Sequence, residues 1–255
     1  MKRVLILKTG SATGSVRVAH GDYDRWFVRS LSPSRARFAL VAPCANERLP
    51  RAREHDAVIV TGSPHSVTEG AEWMRRTGAW LLEADEQGVP VLGVCFGHQL
   101  LAAALGATVR RSPHGREIGT VTCGLTDAGR ADPLFAGVPP TFEVQATHED
   151  EVVALPPALE LLAGNAHSAV QAFRAGRAIR AVQFHPEIDP AVMSAMLEAR
   201  RAGLEAEAAA RGADPGERMR ALVAGIRPTP AGRRILENFL ADARGADLTR
   251  APHEP

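Results

Sequence analysis

The chain has 255 residues, which is enough for one sizeable domain with appendages. Its 30 basic and 29 acidic side chains nearly cancel to a formal net charge of +1, and this balance argues against an electrostatic grip on nucleic acid. No apolar run approaches the roughly 20 residues that a membrane-crossing helix needs. We therefore expect neither nucleic acid nor a membrane as a partner.

The N-terminus and the cysteines indicate where the protein works. Residues 4–7 are apolar and Lys8 then interrupts them, which predicts a first strand rather than a signal peptide. Cys44, Cys95 and Cys123 are an odd number of thiols without metal-ligand spacing. We expect free thiols, a cytoplasmic location and no metal site. No Gly-rich phosphate loop occurs, and no cofactor is expected.

Short apolar strands alternate with helical stretches in the first half of the chain. The predicted strands cover residues 4–7, 37–41, 57–60 and 90–94, and the predicted helices cover residues 23–31, 72–87 and 97–105. This alternation is typical of an α/β fold of three layers, a mostly parallel sheet with helices on both faces.

The pattern changes after Ala107, where strand-like runs follow one another without long helices between them. These runs cover residues 107–111, 118–122, 141–146, 159–164, 169–173 and 179–184. They predict antiparallel strands added to the parallel sheet.

The composition changes again after Asp189. A stretch rich in alanine, glutamate and arginine predicts a long helix over residues 191–211, followed by helices over 217–226 and 228–241. We predict a domain over residues 1–190, a C-terminal helical extension over 191–246 and a flexible tail over 247–255. The extension either packs on the domain through an apolar face or is a solvated arm that meets a partner. That face consists of Ile235, Leu236, Phe239 and Leu240.

The most informative segment surrounds Cys95, which stands between Gly93 and Gly97 and between a predicted strand and a predicted helix. This is the thiol counterpart of the Gly-x-Ser-x-Gly elbow, a sharp turn that pushes a nucleophile out of the backbone. The N-terminus of a helix favours the thiolate form. The alternative is a buried structural cysteine whose glycines serve only the turn.

A candidate base follows far downstream, in His185-Pro186-Glu187 at the end of a predicted strand. Pro186 favours extended backbone at His185, and residues two apart in extended chain point the same way. Glu187 is therefore placed to orient the imidazole and to stabilise its charged form. Together with Cys95, these residues form a hypothetical Cys-His-Glu triad.

Two separated motifs, Gly93-Val94-Cys95-Phe96-Gly97-His98-Gln99 and Gln183-Phe184-His185-Pro186-Glu187, resemble the class I glutamine amidotransferases. The resemblance runs from about Met1 to about Asp189. Residues 60–64 resemble the family's oxyanion loop, and residues 147–152 resemble a loop that reads Ser-His-Gly-Asp in relatives. The chain is most similar to stand-alone proteins related to the glutaminase domain of GMP synthetase, and the plant γ-glutamyl peptidases belong to the same broad group.

The resemblance implies hydrolysis of the side-chain amide of glutamine by Cys95, His185 and Glu187 through a γ-glutamyl thioester. It implies an oxyanion hole made by the backbone N–H groups of Gly62 and Phe96. It further implies substrate contacts from Gln99, Thr147, His148 and Glu149. Thr147 and Glu149 depart from the family, which has serine and glycine there. Glutamine binding is weakened or altered if position 149 needs a glycine-only conformation.

No ATP-pyrophosphatase signature follows the domain, so the chain is not expected to make GMP alone. Three functions remain open at this point. The first is a glutaminase that passes ammonia to a separate synthetase subunit. The second is a self-sufficient hydrolase or peptidase of a small γ-glutamyl compound. The third is a non-catalytic binding protein on the same fold.

Overall fold

The fold is an α/β sandwich, seen in a computed structural model that describes residues 1–31, 36–176 and 178–245. The strands, in chain order, are β1 (Lys2–Leu7), β2 (Ala36–Val41), β3 (Ala57–Val60), β4 (Val91–Val94), β5 (Thr108–Arg111), β6 (Glu117–Leu125), β7 (Thr141–His148), β8 (Asp150–Ala154), β9 (Leu159–Gly164), β10 (Ala172–Ala175) and β11 (Ile179–Val182). The helices are α1 (Gly14–His20), α2 (Tyr23–Leu31), α3 (Glu72–Glu86), α4 (Phe96–Ala104), α5 (Asp127–Ala131), α6 (Pro190–Ala199), α7 (Arg201–Ala210), α8 (Pro215–Ala224) and α9 (Pro230–Gly245). No helix in this described part of the chain is both long and apolar enough to span a membrane.

One sheet forms the centre of the fold. Within the described residues nine strands join it, in the order β2-β1-β3-β4-β11-β10-β9-β6-β7. The strands from β2 to β11 pair in parallel, and those from β11 to β7 pair antiparallel. The predicted mostly parallel sheet with added antiparallel strands is confirmed. The predicted strand over residues 107–111 lies elsewhere, because β5 pairs with β8 in a separate two-stranded sheet.

Helices cover both faces of the sheet, because successive apolar residues of β1 are buried alternately in two different clusters. Val4 and Ile6 pack in a cluster with residues of α2 and α9, whereas Leu5 and Leu7 pack in a cluster with residues of α3 and α4. Residues two apart in a strand point to the same face, so a fully apolar run of four is expected to be buried on both sides. The predicted three-layer arrangement is therefore present.

The C-terminal helices pack on the sheet domain. Ile235, Leu236 and Phe239 of α9 are at most 3% exposed and belong to the same cluster as Val4 and Ile6. Helices α6, α7 and α8 bury apolar residues in a third cluster with Tyr23 and Trp26 of α2, Met193 and Leu204 among them. The alternative of a solvated arm is wrong, because α9 completes the core of one face. The boundary at residue 190 stays a prediction.

The predicted single helix over residues 191–211 is wrong, since α6 ends at Ala199 and α7 begins at Arg201. Arg200 lies between them with φ −106° and ψ 4°. Met196 of α6 and Leu204 of α7 both pack in the third cluster. Tertiary packing therefore sets the turn, and a run of good helix formers carries no local signal for it. The strand predicted over residues 169–173 forms later in the chain, as β10 over Ala172–Ala175. The predicted tail over residues 247–255 lies outside the described residues.

The carboxyl ends of the parallel strands meet at one edge of the sheet, which is where open α/β sheets bind ligands. Gly62 follows β3, Cys95 follows β4 and His185 follows β11 at this edge. These three strands are neighbours in the order β3-β4-β11. The topology thus brings together residues that lie more than one hundred positions apart in the sequence.

Candidate active site

Cys95 occupies a strained turn between β4 and α4. Its φ of 52° and ψ of −100° are uncommon for a residue with a side chain, and such strain concentrates at functional sites. The Cys95 N–H donates to the Val182 carbonyl, 2.8 Å away, which ties the turn to β11. A Cβ added to Gly93 would lie 2.6 Å from the Gly97 carbonyl oxygen, so the strand and the helix meet this closely only with glycine. The predicted elbow is present.

His185 and Glu187 lie at the end of the neighbouring strand. His185 Nδ1 and Glu187 Oε1 are 2.7 Å apart, and both side chains are buried. The backbone N–H of His185 donates to the backbone carbonyl of Gln145 at 2.8 Å, and this bond holds the segment against β7. The expected contact between the imidazole and the carboxylate is therefore made, with Nε2 as the nitrogen left for other partners. Among the described residues, His185 Nε2 makes no hydrogen bond.

The electrostatic surroundings favour a charged His185. Burial lowers its pKa, but the negative charges of Glu187 and Cys95 outweigh burial and raise the pKa to about 10. The raised pKa favours the imidazolium form, which the Glu187 carboxylate holds at Nδ1. A histidine in this state is able to hold a thiolate and to give a proton to a leaving group.

The loop after β3 brings backbone against both His185 and Cys95. A Cβ on Gly62 would lie 2.8 Å from His185 Cε1 and 3.7 Å from Cys95 Cβ. Thr9 Oγ1 donates to the Thr61 carbonyl at 3.0 Å. Because the C=O and N–H of a trans peptide point to opposite sides, this bond directs the Gly62 N–H away from Thr9. The Phe96 N–H belongs to the first turn of α4, where helix geometry leaves it without an intrahelical acceptor.

A cavity of about 240 Å³ opens beside Cys95. This volume is somewhat below the range of roughly 300–1,000 Å³ that is usual for ligand sites. Its lining includes all four residues that the resemblance assigns to substrate contacts, namely Gln99, Thr147, His148 and Glu149. It also includes Asp150 of the loop over residues 147–152, Arg116, and two residues that the sequence did not single out, Ser66 and Arg200.

Gln99 and Thr147 lie close to Cys95 within this cavity. Gln99 Nε2 donates to the Asp150 carbonyl at 3.0 Å and to Gln183 Oε1 at 3.1 Å. Both amide hydrogens are thereby used, so the group that Gln99 offers a ligand is its oxygen. The Thr147 carbonyl oxygen lies 3.9 Å from Cys95 Sγ, and Thr147 Oγ1 is buried without a partner among the described residues.

His148 has both ring nitrogens engaged by the protein. Nδ1 lies 2.9 Å from the Asp150 carbonyl oxygen, and Nε2 lies 2.8 Å from Glu117 Oε2. Asn165 and Gln171 also donate to the Glu117 carboxylate. Burial raises the pKa of Glu117, but the hydrogen bond and the charge of His148 outweigh burial and lower it overall. His148 therefore positions the end of β7 and offers no free nitrogen to a ligand.

Glu149 connects β7 to β8 in ordinary backbone geometry, because it is not among the described non-glycine residues with a positive φ. Position 149 does not need a glycine-only conformation. Its carboxylate pairs with Arg111 Nη2 at 2.6 Å and with Arg116, which also contacts Glu207 of α7 at 3.5 Å. A chain of charges thus runs from the cavity to the C-terminal helices.

Two further residues beside the site were missed by sequence reasoning. Tyr23, at the start of α2, is buried and lies within electrostatic reach of Cys95, Glu187 and Arg200. Arg200 lies at the turn between α6 and α7 and lines the cavity. Neither belongs to a motif. The one available signal is that Tyr23 is the chain's single tyrosine.

Known proteins resemble this chain in both sequence and fold. The family model for class-I glutamine amidotransferases matches residues 20–201. One subunit of the glutamine-hydrolysing GMP synthase of Saccharolobus solfataricus is 32% identical over 169 residues, which are 66% of this chain and 85% of that protein. The GMP synthase of a Parafrankia species is 40% identical over 141 residues, which are 54% of this chain and 24% of that enzyme.

A solved structure is similar to this chain in fold. The crystal structure of a glutamine amidotransferase from Thermotoga maritima superposes with a TM-score of 0.73 at 23% identity and covers 95% of this chain and 97% of its own. The likeness in fold therefore extends over nearly the whole chain. This chain belongs to the class I glutamine amidotransferase family and is an enzyme of that hydrolase and amidotransferase type.

Proposed function

We propose that the protein hydrolyses γ-glutamyl amides, glutamine among them, with Cys95 as nucleophile, His185 as acid and base, and Glu187 as the group that orients His185. The observation that carries the proposal is the pair His185–Glu187, 2.7 Å apart, at the strand end next to the cysteine elbow. The raised pKa of His185, about 10, supports its role as the proton donor to the leaving nitrogen.

The reaction proceeds in two halves. Cys95 Sγ attacks the carbonyl carbon of the γ-glutamyl amide, and His185 Nε2 protonates the nitrogen as its bond to carbon breaks. This leaves a γ-glutamyl thioester and releases ammonia or an amine. His185 then takes a proton from water, whose oxygen attacks the thioester carbon and releases glutamate and the thiolate.

The negative oxygen that forms in each half needs donors that are already in place. We assign this role to the N–H groups of Gly62 and Phe96, which flank Cys95 from the β3 loop and from α4. Helix α4 adds its N-terminal dipole on the same side. The 2.8 Å approach of a Gly62 Cβ position to His185 supports the assignment, since it puts this backbone beside the reacting groups.

The glutamyl portion is held by the residues on the α4 and β7 side of the cavity. The Gln99 side-chain oxygen suits an ammonium donor, because both Gln99 amide hydrogens are used elsewhere. Thr147 and Glu149 line the same part of the cavity, and we assign them to contacts with the glutamyl portion. His148 acts indirectly, by fixing the carbonyl of Asp150 and the end of β7.

With glutamine as substrate the leaving group is ammonia, and the relatives suggest its destination. The Saccharolobus solfataricus relative is named as one subunit of a glutamine-hydrolysing GMP synthase. By analogy we propose that this chain passes ammonia to a separate synthetase subunit. The free thiols of all three cysteines agree with a reducing, cytoplasmic setting.

One observation favours the second candidate, a self-sufficient γ-glutamyl hydrolase. The family match ends at residue 201, and beyond it Glu207 of α7 contacts Arg116, a residue of the cavity wall, at 3.5 Å. Helix α7 thereby helps to position one arginine of the cavity wall. Support of the wall from within the chain favours a site that works without a partner subunit.

The test is glutamate release by the wild type, by Cys95→Ala and by the control Cys44→Ala, with glutamine and with γ-glutamyl dipeptides. Cys44 is half-buried, and burial raises the pKa of its thiol above the ordinary value. We expect the Cys95 variant to lose all glutamate release and the Cys44 variant to keep it. Activity that survives Cys95→Ala overturns the assignment. Activity that needs an added synthetase subunit favours ammonia transfer over the self-sufficient hydrolase.

A further inference from the structure

Glu117, at the start of β6, is a buried carboxylate that lies behind the cavity wall. It is 7% exposed, and the described residues that line the cavity include its neighbour His148 but not Glu117 itself. Glu117 Oε2 lies 2.8 Å from His148 Nε2, and Asn165 Nδ2 and Gln171 Nε2 each donate to the carboxylate at 2.6 Å. Burial raises the pKa of Glu117, but its contacts with His148 and Asn165 lower it overall, which favours the charged form. A carboxylate held by three donors is a fixed point in the fold.

The acceptors on both sides of His148 determine where the ring carries its hydrogens. Nδ1 lies 2.9 Å from the backbone carbonyl oxygen of Asp150, which can accept a hydrogen bond but cannot donate one. Nε2 faces the Glu117 carboxylate, which also only accepts. Each nitrogen therefore carries a hydrogen, and Glu117 balances the positive charge that this gives the ring. Loss of Glu117 would remove both this balance and the contact that keeps Nδ1 directed at Asp150.

The Asp150 carbonyl in turn decides which end of the Gln99 amide is left for a ligand. Gln99 Nε2 donates to this carbonyl at 3.0 Å and to Gln183 Oε1 at 3.1 Å. The Gln183 amide can present either its oxygen or its nitrogen, whereas a backbone carbonyl presents only an acceptor. Asp150 is therefore the contact that fixes the Gln99 nitrogen and leaves the Gln99 oxygen free. A path of three hydrogen bonds thus runs from Glu117 through His148 and Asp150 to Gln99.

We propose that Glu117 is a positioning residue that, through His148 and the Asp150 carbonyl, directs the Gln99 oxygen at the α-ammonium group of the substrate. The inference rests on the γ-glutamyl amide hydrolysis proposed above, and it assigns the selection of substrates with a free α-amino group to a residue that touches no substrate. The path ends at Gln99 and does not include Cys95 or His185. Loss of Glu117 therefore weakens binding of the α-ammonium group and leaves the reaction at the γ-carbonyl in place.

Two pairs of substrates that differ only in the α-amino group test this directly. Glutamine and γ-glutamylglycine carry the group, whereas glutaramate and glutarylglycine present the same amides without it. We expect the wild-type kcat/KM to be roughly 10- to 100-fold higher for the compound with the α-amino group, the factor that a hydrogen bond to a charged group supplies. Glu117→Ala is expected to remove most of this preference, through KM more than kcat, and to change kcat/KM for glutaramate and glutarylglycine by less than about threefold.

Glu151 is the matched control, because it is also 7% exposed but its carboxylate bonds Arg110 and Ser112 instead of His148. Glu151→Ala is expected to keep the full preference. Glu117→Asp is the second test variant: it retains the charge but withdraws the carboxylate by about 1.5 Å, one bond length, from His148 Nε2. It is expected to lose most of the preference as Glu117→Ala does. In a Gln99→Ala background, which already lacks the oxygen, Glu117→Ala is expected to change the preference no further.

The outcomes separate failure of this inference from failure of the proposed function. Equal loss on both members of a pair in Glu117→Ala, or in Glu117→Asp where the alanine variant does not fold, means that Glu117 serves only the fold and overturns the inference. A further loss of preference in the Gln99→Ala background overturns it too, because the path then does not end at Gln99. A wild type that does not distinguish the members of a pair overturns the inference while the hydrolase activity stands. If the wild type releases neither ammonia nor glycine from any of the four compounds, the proposed function itself is wrong and the inference falls with it.

Discussion

The close approach of the β3 loop to His185 predicts that Gly62→Ala damages catalysis with little damage to the fold. The added Cβ would lie 2.8 Å from His185 Cε1, and an ordinary contact needs about 3.4 Å, so the ring must move by about 0.6 Å. His185 is buried and held at 2.7 Å by Glu187, which leaves little room for that movement. Because a displacement of about 1 Å costs about 100-fold in rate, we expect kcat/KM to fall by roughly 10- to 100-fold.

The assay is steady-state glutamate release together with thermal unfolding. Gly203→Ala is the matched control, since a Cβ at Gly203 on α7 has nothing within 4 Å. That control is expected to keep its activity and to gain up to about 1 kcal/mol in the free energy of unfolding, because alanine favours helix over glycine. If Gly62→Ala retains wild-type kcat/KM, the β3 loop does not adjoin the reacting groups and the proposed oxyanion hole is wrong.

Two further predictions concern the charge on His185 and the role of α9. Glu187→Gln removes the charge that contributes most to raising the pKa of His185. NMR titration is therefore expected to show that this pKa falls from about 10, and kcat is expected to fall on the order of 100-fold or more. An unchanged titration of His185 would contradict the proposed His185–Glu187 pair. Leu236→Ala is expected to lower the free energy of unfolding by about 2–5 kcal/mol, with a single transition in urea. The control Val223→Ala, at a side chain that is 51% exposed, is expected to lower it little. A separate early transition would show that α9 is not part of the core.

The candidate triad was predictable because its signals are local. Cys95 has a glycine two residues before it and another two residues after it, and it stands between an apolar strand and a helix. This pattern predicts the sharp turn that makes the cysteine side chain project from the backbone. The sequence His185-Pro186-Glu187 similarly fixes extended geometry, and the structure places the carboxylate 2.7 Å from the imidazole. The parallel sheet followed from the alternation of short apolar strands with helices, which leaves few alternative topologies.

The remainder of the cavity was not predictable, because its residues are positioned by tertiary packing. Arg200 stands in a stretch whose composition predicts one long helix, and only packing in the third cluster introduces the turn that carries it to the cavity. Arg116 and Glu149 are linked by an ion pair between separate segments, which no single sequence displays. His148 was predicted as a ligand contact, but the buried carboxylate of Glu117 engages its second nitrogen.

The central claim is that Cys95 forms a covalent γ-glutamyl thioester, and the most direct measurement is acid-quenched peptide mapping by mass spectrometry during turnover. We predict a γ-glutamyl adduct on the peptide that contains Cys95, with Cys44 and Cys123 unmodified. The adduct is expected to disappear in Cys95→Ala together with glutamate release. Turnover with no adduct on Cys95 under conditions that preserve thioesters, or an adduct on another cysteine, would contradict the account.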